Sequence, residues 1–221
     1  MLMLCEFESS SPFLPTFQVP LLKTQFGEEN TKLLRDMVLA KENYILETTK
    51  PYPSTDDYDW LTNRLYDYNL LDYSDEHPVL NDFKKFIYDS YVEFCHSINA
   101  PIEKIYIQMW ANIIRNNGRR ITPHHHIDAH IGAPQEYSYV SGNICVDAVE
   151  TNTYYRSPFL DKKAFPIKNV AGDMIMFPSW AVHWTDKNES DVPRISIAYD
   201  IVTEHVYNLP ESKNQNFRFL G

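Results

Sequence analysis

The sequence predicts a mainly β protein of the α+β class, in which N-terminal helices support a closed or two-sheet antiparallel β architecture such as a jelly roll. Two patterns of apolar spacing indicate this class. Apolar residues recur every three or four positions up to about residue 100, which is typical of helices. From Ile105 they recur every second position, as in strands with one buried face. Short apolar runs separated by turn residues continue almost to the end of the chain.

The first half is predicted to contain two helices with a loop between them. Residues 32–39 are predicted to be helical, with one apolar side formed by Leu33, Leu34, Met37 and Val38. Pro78 is well placed to begin the second helix, because proline is tolerated in the first turn. Its apolar stripe comprises Leu80, Phe83, Ile87, Tyr91 and Phe94. Residues 50–57, rich in proline and acidic residues, are predicted to form the loop.

The second half is predicted to contain the strands. Residues 105–113 alternate strictly, and residues 137–149 form a β-like run with Gly142 as a bulge. Residues 174–177 follow a turn signal, and residues 194–202 alternate again. We therefore expect a single domain over 1–221. Residues 1–103 would be helical and loop support, 104–205 the jelly-roll core, and 206–221 a C-terminal tail.

Composition narrows the classes of function. The chain has 221 residues and a formal net charge of −10, which argues against binding along a nucleic-acid backbone. Its three cysteines are scattered, so a disulfide framework or a thiolate zinc site is not expected. No apolar run reaches the length of a membrane span, and the start of the chain does not fit a signal peptide. These features favour a soluble, cytoplasmic protein.

A histidine-rich segment and a distant histidine carry the candidate chemistry. His126 and Asp128 lie two residues apart, so in an extended segment both side chains point the same way. His183 follows a strand-like run, and a jelly roll can bring the two strand ends together. Two imidazoles and one carboxylate are the ligand set that non-haem Fe(II) oxygenases use. The alternative is an exposed polyhistidine loop.

Arg194 and Ser196 offer an anchor for an anionic co-substrate. They lie two residues apart on one face of the last predicted strand. A guanidinium binds a carboxylate through two parallel hydrogen bonds, and a hydroxyl can add a third. The alternative is an exposed ion pair of Arg194 with Asp186, Glu189 or Asp191.

These motifs resemble the 2-oxoglutarate/Fe(II) oxygenases found in phages and bacteria, which are relatives of the prolyl-hydroxylase group. The resemblance spans about residues 104–202. It rests on Trp110-x-Asn112, the histidine segment, Ser141-Gly142, Gly172-Asp173, Phe177-Pro-Ser-Trp180-x-x-His183 and Arg194-Ile-Ser-Ile197. It implies a double-stranded β-helix that binds Fe(II) through His126, Asp128 and His183.

The same resemblance implies 2-oxoglutarate as co-substrate, anchored by Arg194 and Ser196, with O₂ as the oxidant. Asn143 and Tyr155 are predicted to line the cofactor pocket. Many members of the group show His-x-His followed closely by Ser-Gly, and His124 to His126 also fit this sequence pattern. His124 is therefore an alternative first ligand, with Asp128 displaced.

The expected function is hydroxylation of a C–H bond, with 2-oxoglutarate converted to succinate and CO₂. A small molecule or a peptidyl side chain, prolyl among them, is the expected substrate. A non-catalytic cupin-like module that binds metal or ligand is the main alternative. A metallohydrolase with zinc-bound water ranks last, because Arg194 and Ser196 have no role in that chemistry.

Overall fold

Two antiparallel β-sheets and two long helices make up most of the described chain. The computed structural model describes residues 1–7, 12–13, 16–51, 61–115, 119–126, 139–156, 163–209 and 216–221. The strands are β1 (Leu2–Phe7), β2 (Phe17–Gln25), β3 (Ile105–Ile114), β4 (Val140–Asp147), β5 (Asn152–Arg156), β6 (Phe165–Lys168), β7 (Asp173–Pro178), β8 (Val182–Thr185), β9 (Arg194–Thr203) and β10 (Arg218–Phe219). The larger sheet has the order β1-β2-β7-β4-β9-β3-β10, and the smaller has the order β6-β5-β8. The predicted mainly β class with supporting helices is confirmed.

Both predicted helices form. Helix α1 (Glu28–Thr48) begins after Gly27, with two acidic residues in its first turn that complement the helix dipole. Helix α2 (Val79–Ser97) begins directly after Pro78, as predicted, and all five residues of its apolar stripe are buried. In α1 the prediction for Leu33 is wrong: this side chain is 49% exposed, whereas Leu34, Met37 and Val38 are buried. Neither helix is both long and apolar enough to cross a membrane.

The two faces of β3 contact different layers. Ile105, Ile107, Met109 and Ala111 join the apolar cluster that also contains the buried residues of α1 and α2. The intervening side chains, Gln108, Trp110 and Asn112, line a cavity on the opposite face. Successive strand side chains point to opposite sides, so β3 has one helix-covered face and one face with two amides. The second face is also buried, and Trp110 on it joins the same apolar cluster, so the prediction of a single buried face is wrong for this strand.

Two strands in the N-terminal part were not predicted. Strand β1 pairs with β2 along its whole length, and β2 pairs with β7, so both extend the larger sheet. They correct the prediction that residues 1–103 contain only helices and loops. Pro20 in β2 donates no hydrogen bond to a ladder, and β2 pairs with β7 only from Leu22 onward, so among the described residues Pro20 pairs with β1 alone. The shared apolar cluster supports the expectation of a single domain, which stays a prediction.

Gly142 does not form the predicted bulge. The register of β4 against β9 shifts between Cys145 and Asp147 instead. A Cβ atom at Gly142 would lie 2.3 Å from the hydroxyl oxygen of Tyr199, its partner on β9. The glycine is needed here for this close approach of an aromatic ring and not for a bend in the strand.

The segment 119–126 continues the smaller sheet beyond β8. Backbone hydrogen bonds join Thr185 to Ile121 (3.2 Å) and Asn188 to Arg119 (2.9 Å). His124 and His183 exchange two backbone hydrogen bonds, of 3.1 and 2.8 Å, and form an antiparallel bridge. This bridge places the histidine-rich segment against the strand that carries the distant histidine.

Candidate metal centre and co-substrate pocket

A cavity of about 690 Å³ lies between the two sheets. The larger sheet contributes polar side chains from β3, β4 and β9, and the smaller sheet contributes β5 and β8. Among the described residues that line it, Asp200 is the one carboxylate, and Arg156 and Arg194 are the two guanidinium groups. The histidines of the bridge form one part of the wall.

Three histidines converge in this wall. The ring nitrogens of His124, His126 and His183 that could hold an ion all lie within 4.8 Å of one another. The bridge sets His124 directly opposite His183, with ring centroids 4.3 Å apart. A backbone hydrogen bond of 2.9 Å from His126 N–H to the carbonyl oxygen of Ser179 positions the third ring.

The hydrogen bonds of the three rings select one tautomer. Each Nδ1 atom contacts an oxygen, which accepts its proton. The pairs are His124 with the carbonyl of Thr122 (2.8 Å), His126 with Oδ1 of Asp200 (2.5 Å) and His183 with the carbonyl of Ala181 (3.1 Å). A neutral imidazole that donates from Nδ1 keeps its lone pair on Nε2. All three rings can therefore offer Nε2 to a metal.

The spacing of two of these nitrogens fits a metal ion. Nε2 of His124 and Nε2 of His126 are 3.1 Å apart. Two imidazole nitrogens bound at about 2.1 Å and at a right angle on one ion would be separated by roughly 3 Å. Two lone pairs at this distance repel each other unless a proton or a cation lies between them. The donor set therefore fits a divalent cation.

Burial keeps His124 and His183 uncharged. Removal from water, followed by the effect of the neighbouring His126, lowers the pKa of His124 to about 4. Burial also holds the pKa of His183 well below its usual value, and the neighbouring His124 and His126 lower it in the same direction with a smaller effect. Metal ligation needs the neutral ring, so both residues are ready to bind at neutral pH.

The predicted ligand set is only partly within the described residues. His126 and His183 meet as expected, and His124 joins them, which is the alternative left open by the His-x-His spelling. Asp128 lies in 127–138, outside the described residues, so its part in the site stays a prediction. His125 is exposed and contributes no nitrogen to the cluster.

Arg194 is buried and lines the cavity, with 3% of its surface exposed. Its Nη2 donates to Oγ1 of Thr185 (2.8 Å) and its Nη1 to the carbonyl oxygen of Asp186 (3.4 Å). Burial lowers its pKa to about 10, which leaves it charged at neutral pH. The alternative of an exposed ion pair is wrong for this residue.

Thr185 connects the guanidinium to the histidine cluster. It lies two residues after His183 on β8, so the two side chains share one face of the strand. Two residues along a strand span about 6.6 Å. This distance suits a dicarboxylate that reaches from a metal at the histidines to Arg194.

The other predicted pocket residues differ in their placement. Ser196 and Asn143 line the cavity, and Ser196 accepts a hydrogen bond of 3.4 Å from Nδ2 of Asn112. Tyr155 is completely buried; its ring packs on Phe177, and its hydroxyl accepts from Asn143 at 3.3 Å. Tyr155 therefore supports the wall through Asn143.

Two residues of the site were missed from the sequence. Asp200, which binds His126, lies six positions after Arg194, and Thr185 lies two after His183. Strand alternation from Arg194 and Ser196 would have placed Asp200 on the same face. Thr185 would have followed in the same way from His183.

Comparisons with known proteins agree with this architecture. Residues 108–200 match the model of a family described as "Putative 2OG-Fe(II) oxygenase". A search of curated proteins found no matching sequence. Three solved structures share the fold over most of the chain.

The first, a prolyl hydroxylase from Trichoplax adhaerens in complex with a hypoxia inducible factor peptide, has a TM-score of 0.58 and 10% identity and covers 86% of each chain. A Pseudomonas putida prolyl-4-hydroxylase has a TM-score of 0.55 and 9% identity, over 83% of this chain and 92% of its own. The α-ketoglutarate-dependent epimerase SnoN from nogalamycin biosynthesis has a TM-score of 0.56 and 12% identity, over 91% and 89%. At these identities the likeness establishes the double-stranded β-helix fold.

Proposed function

We propose that this chain, which belongs through residues 108–200 to the 2OG-Fe(II) oxygenase family, hydroxylates a C–H bond of a small molecule or a peptidyl side chain. As an enzyme of this family it uses Fe(II), 2-oxoglutarate and O₂. When bound, they supply the oxidation: one oxygen atom enters the substrate, and the other enters the succinate formed with CO₂. The chain itself binds, orients and shields the reactants.

We assign Fe(II) to His124, His126 and His183. The common Nδ1-H tautomer and the 3.1 Å separation of two Nε2 atoms support this set. Three imidazoles on one side of an ion leave positions for a chelating co-substrate and O₂. Asp128, from the His-x-Asp prediction, is the alternative third ligand in place of His124, because an ion that also binds a chelating co-substrate and O₂ has room for three protein ligands.

We assign the distal carboxylate of 2-oxoglutarate to Arg194. The whole proposal rests on one observation. The buried guanidinium of Arg194 donates a hydrogen bond to Thr185, which lies on the same strand as His183. Two hydrogen bonds occupy only part of its five N–H donors, so donors remain for a carboxylate. Ser196 and Asn143 would contribute further polar contacts. Tyr155 would act by holding Asn143.

The substrate would occupy the remaining part of the cavity. Gln108, Trp110 and Asn112 provide amides and an aromatic surface there, which suit an uncharged polar or peptidyl group. Two of the similar structures are prolyl hydroxylases, so a prolyl side chain is one candidate. A net charge of −10 does not favour nucleic acid.

Co-substrate turnover separates the proposed enzyme from a non-catalytic metal-binding module. We expect the purified protein to convert 2-oxoglutarate to succinate only when both Fe(II) and O₂ are present, as followed by NMR. Arg194→Ala should abolish this conversion at low co-substrate concentration. Stoichiometric iron binding without any binding of 2-oxoglutarate would favour the module instead.

A further inference from the structure

The carboxylate of Asp200 makes a short polar contact with the histidine cluster, and the predicted site had no role for it. Its Oδ1 lies 2.5 Å from Nδ1 of His126. The His126 side chain is 9% exposed and that of Asp200 26% exposed, so water screens this contact only partly. Asp200 faces the cavity from β9, together with Arg194 and Ser196.

Two serines hold Asp200 in place. Oγ of Ser141, a completely buried residue, donates to Oδ1 of Asp200 at 2.6 Å, and the two residues are register partners on β4 and β9. Because Ser141 uses its proton on Asp200, it accepts from Oγ of Ser179 at 2.9 Å. The carbonyl of Ser179 in turn accepts from His126 N–H at 2.9 Å.

These contacts form a closed ring of hydrogen bonds around His126. Its side chain is fixed through Asp200, and its backbone through Ser179, while Ser141 joins the two. A carboxylate that accepts from the remote nitrogen of a metal-binding imidazole orients the ring and makes its other nitrogen a better donor. A charged acceptor also gives a stronger hydrogen bond than a neutral one.

We infer that Asp200 is a positioning residue of the metal centre. It fixes His126 with Nε2 directed at the ion, and it places a negative charge one hydrogen bond away from a ligand set of neutral imidazoles. Ser141 and Ser179 keep the carboxylate in this orientation. The inference rests on the proposed metal centre at His124, His126 and His183.

The test is titration of the purified protein with Co(II) under anaerobic conditions, with the visible ligand-field spectrum as the readout. Asp200→Asn keeps the shape and an acceptor oxygen but removes the charge. We expect one Co(II) per chain, bound about 10- to 100-fold more weakly than by the wild type, with shifted bands. Ser141→Ala should also weaken Co(II) binding, but by a smaller factor.

Asp173→Asn is the matched control. Asp173 also lies in the larger sheet and is ion-paired, with Lys23 at 2.5 Å, but it does not line the cavity. This variant should bind Co(II) like the wild type. Thermal unfolding of each metal-free variant separates a loss of affinity from a loss of folding.

Three results would overturn the inference. An Asp200→Asn protein that matches the wild type in Co(II) affinity and spectrum would make the contact merely structural. A folded Asp200→Asn protein that binds no Co(II) would make Asp200 a ligand. A folded Ser141→Ala variant weaker than Asp200→Asn would assign the effect to the serines. If the wild type itself binds no Co(II), the proposed metal centre fails instead.

Discussion

Nε2 of His124 and Nε2 of His126 lie 3.1 Å apart, and the Nδ1 atom of each ring contacts an oxygen acceptor. The two rings are therefore arranged as a pair of ligands for one ion. The backbone bridge between His124 and His183 brings the third ring to the same point. An exposed polyhistidine loop would require none of these relationships.

Removal of any one imidazole of the cluster should abolish stoichiometric metal binding. We expect this result for His124→Ala, His126→Ala and His183→Ala, because two neutral ligands hold a divalent ion far more weakly than three. Anaerobic titration with Fe(II) measures it. His125→Ala is the control, since this exposed neighbour should leave binding intact. Full binding by His124→Ala together with loss in Asp128→Ala would restore the original His-x-Asp assignment.

Arg194→Ala should weaken 2-oxoglutarate binding on the order of a hundredfold, because the carboxylate of 2-oxoglutarate loses its charged and buried hydrogen-bond partner. Arg194→Lys should recover only part of the 2-oxoglutarate affinity, since lysine keeps the charge but not the two parallel donors. Calorimetric titration of the metal-loaded protein gives both values. Metal affinity without 2-oxoglutarate should not change. Wild-type co-substrate affinity in Arg194→Ala would end the anchor assignment.

The metal-free protein should lose stability as the pH falls from about 6.5 to about 4. Burial lowers the pKa of His124 to about 4 in the folded state, whereas an unfolded imidazole titrates near 6.5. Between these values the unfolded chain binds a proton that the folded chain does not, so the free energy of unfolding decreases. Below both pKa values the folded and unfolded chains are equally protonated at this residue, and the loss of stability is complete.

Urea unfolding at several pH values measures this loss. His124→Gln should lose less stability than the wild type over the same range, because it lacks the titrating ring. His96→Gln, at an exposed position in α2, is the control and should follow the wild type. Parallel curves for the wild type and His124→Gln would contradict the assigned burial of His124.

Gly142→Ala should destabilise the fold by about 1–3 kcal/mol, because its Cβ would overlap the ring of Tyr199. Tyr199→Phe should cost little or even stabilise, since the buried Tyr199 hydroxyl has no hydrogen-bond partner among the described residues. Thermal unfolding of both variants compares the two. A Gly142→Ala protein as stable as the wild type would show that the ring moves aside.

Periodicity predicted much of this fold because it reports directly which face of an element is buried. The stripe of α2 is an example, because all five of its residues are buried. In β3 the alternation predicted one buried face, whereas the second face, with Gln108, Trp110 and Asn112, is buried as well. Strands β1 and β2 were not predicted, because the helical spacing of the first half was extended over residues 1–103. The partial pairing of β2 with β7 shows how Pro20 is accommodated.

The candidate site depends more on contacts between distant residues. His183 and Arg194 could be selected from their sequence context, but the contact of His126 with Asp200 joins residues 74 positions apart. The choice between His124 and Asp128 depends on which residue lies opposite His183, and spacing alone contains no information on that register. The backbone bridge places His124 opposite His183, whereas Asp128 lies outside the described residues.

Anaerobic titration of the protein with Fe(II) and then with 2-oxoglutarate tests the central claim most directly, because chelation of iron by the co-substrate gives a weak visible charge-transfer band. We expect the band to appear at one Fe(II) and one 2-oxoglutarate per chain. It should be absent in His183→Ala and require far more 2-oxoglutarate in Arg194→Ala. A wild-type protein that binds Fe(II) but develops no band at any 2-oxoglutarate concentration would contradict the proposed oxygenase.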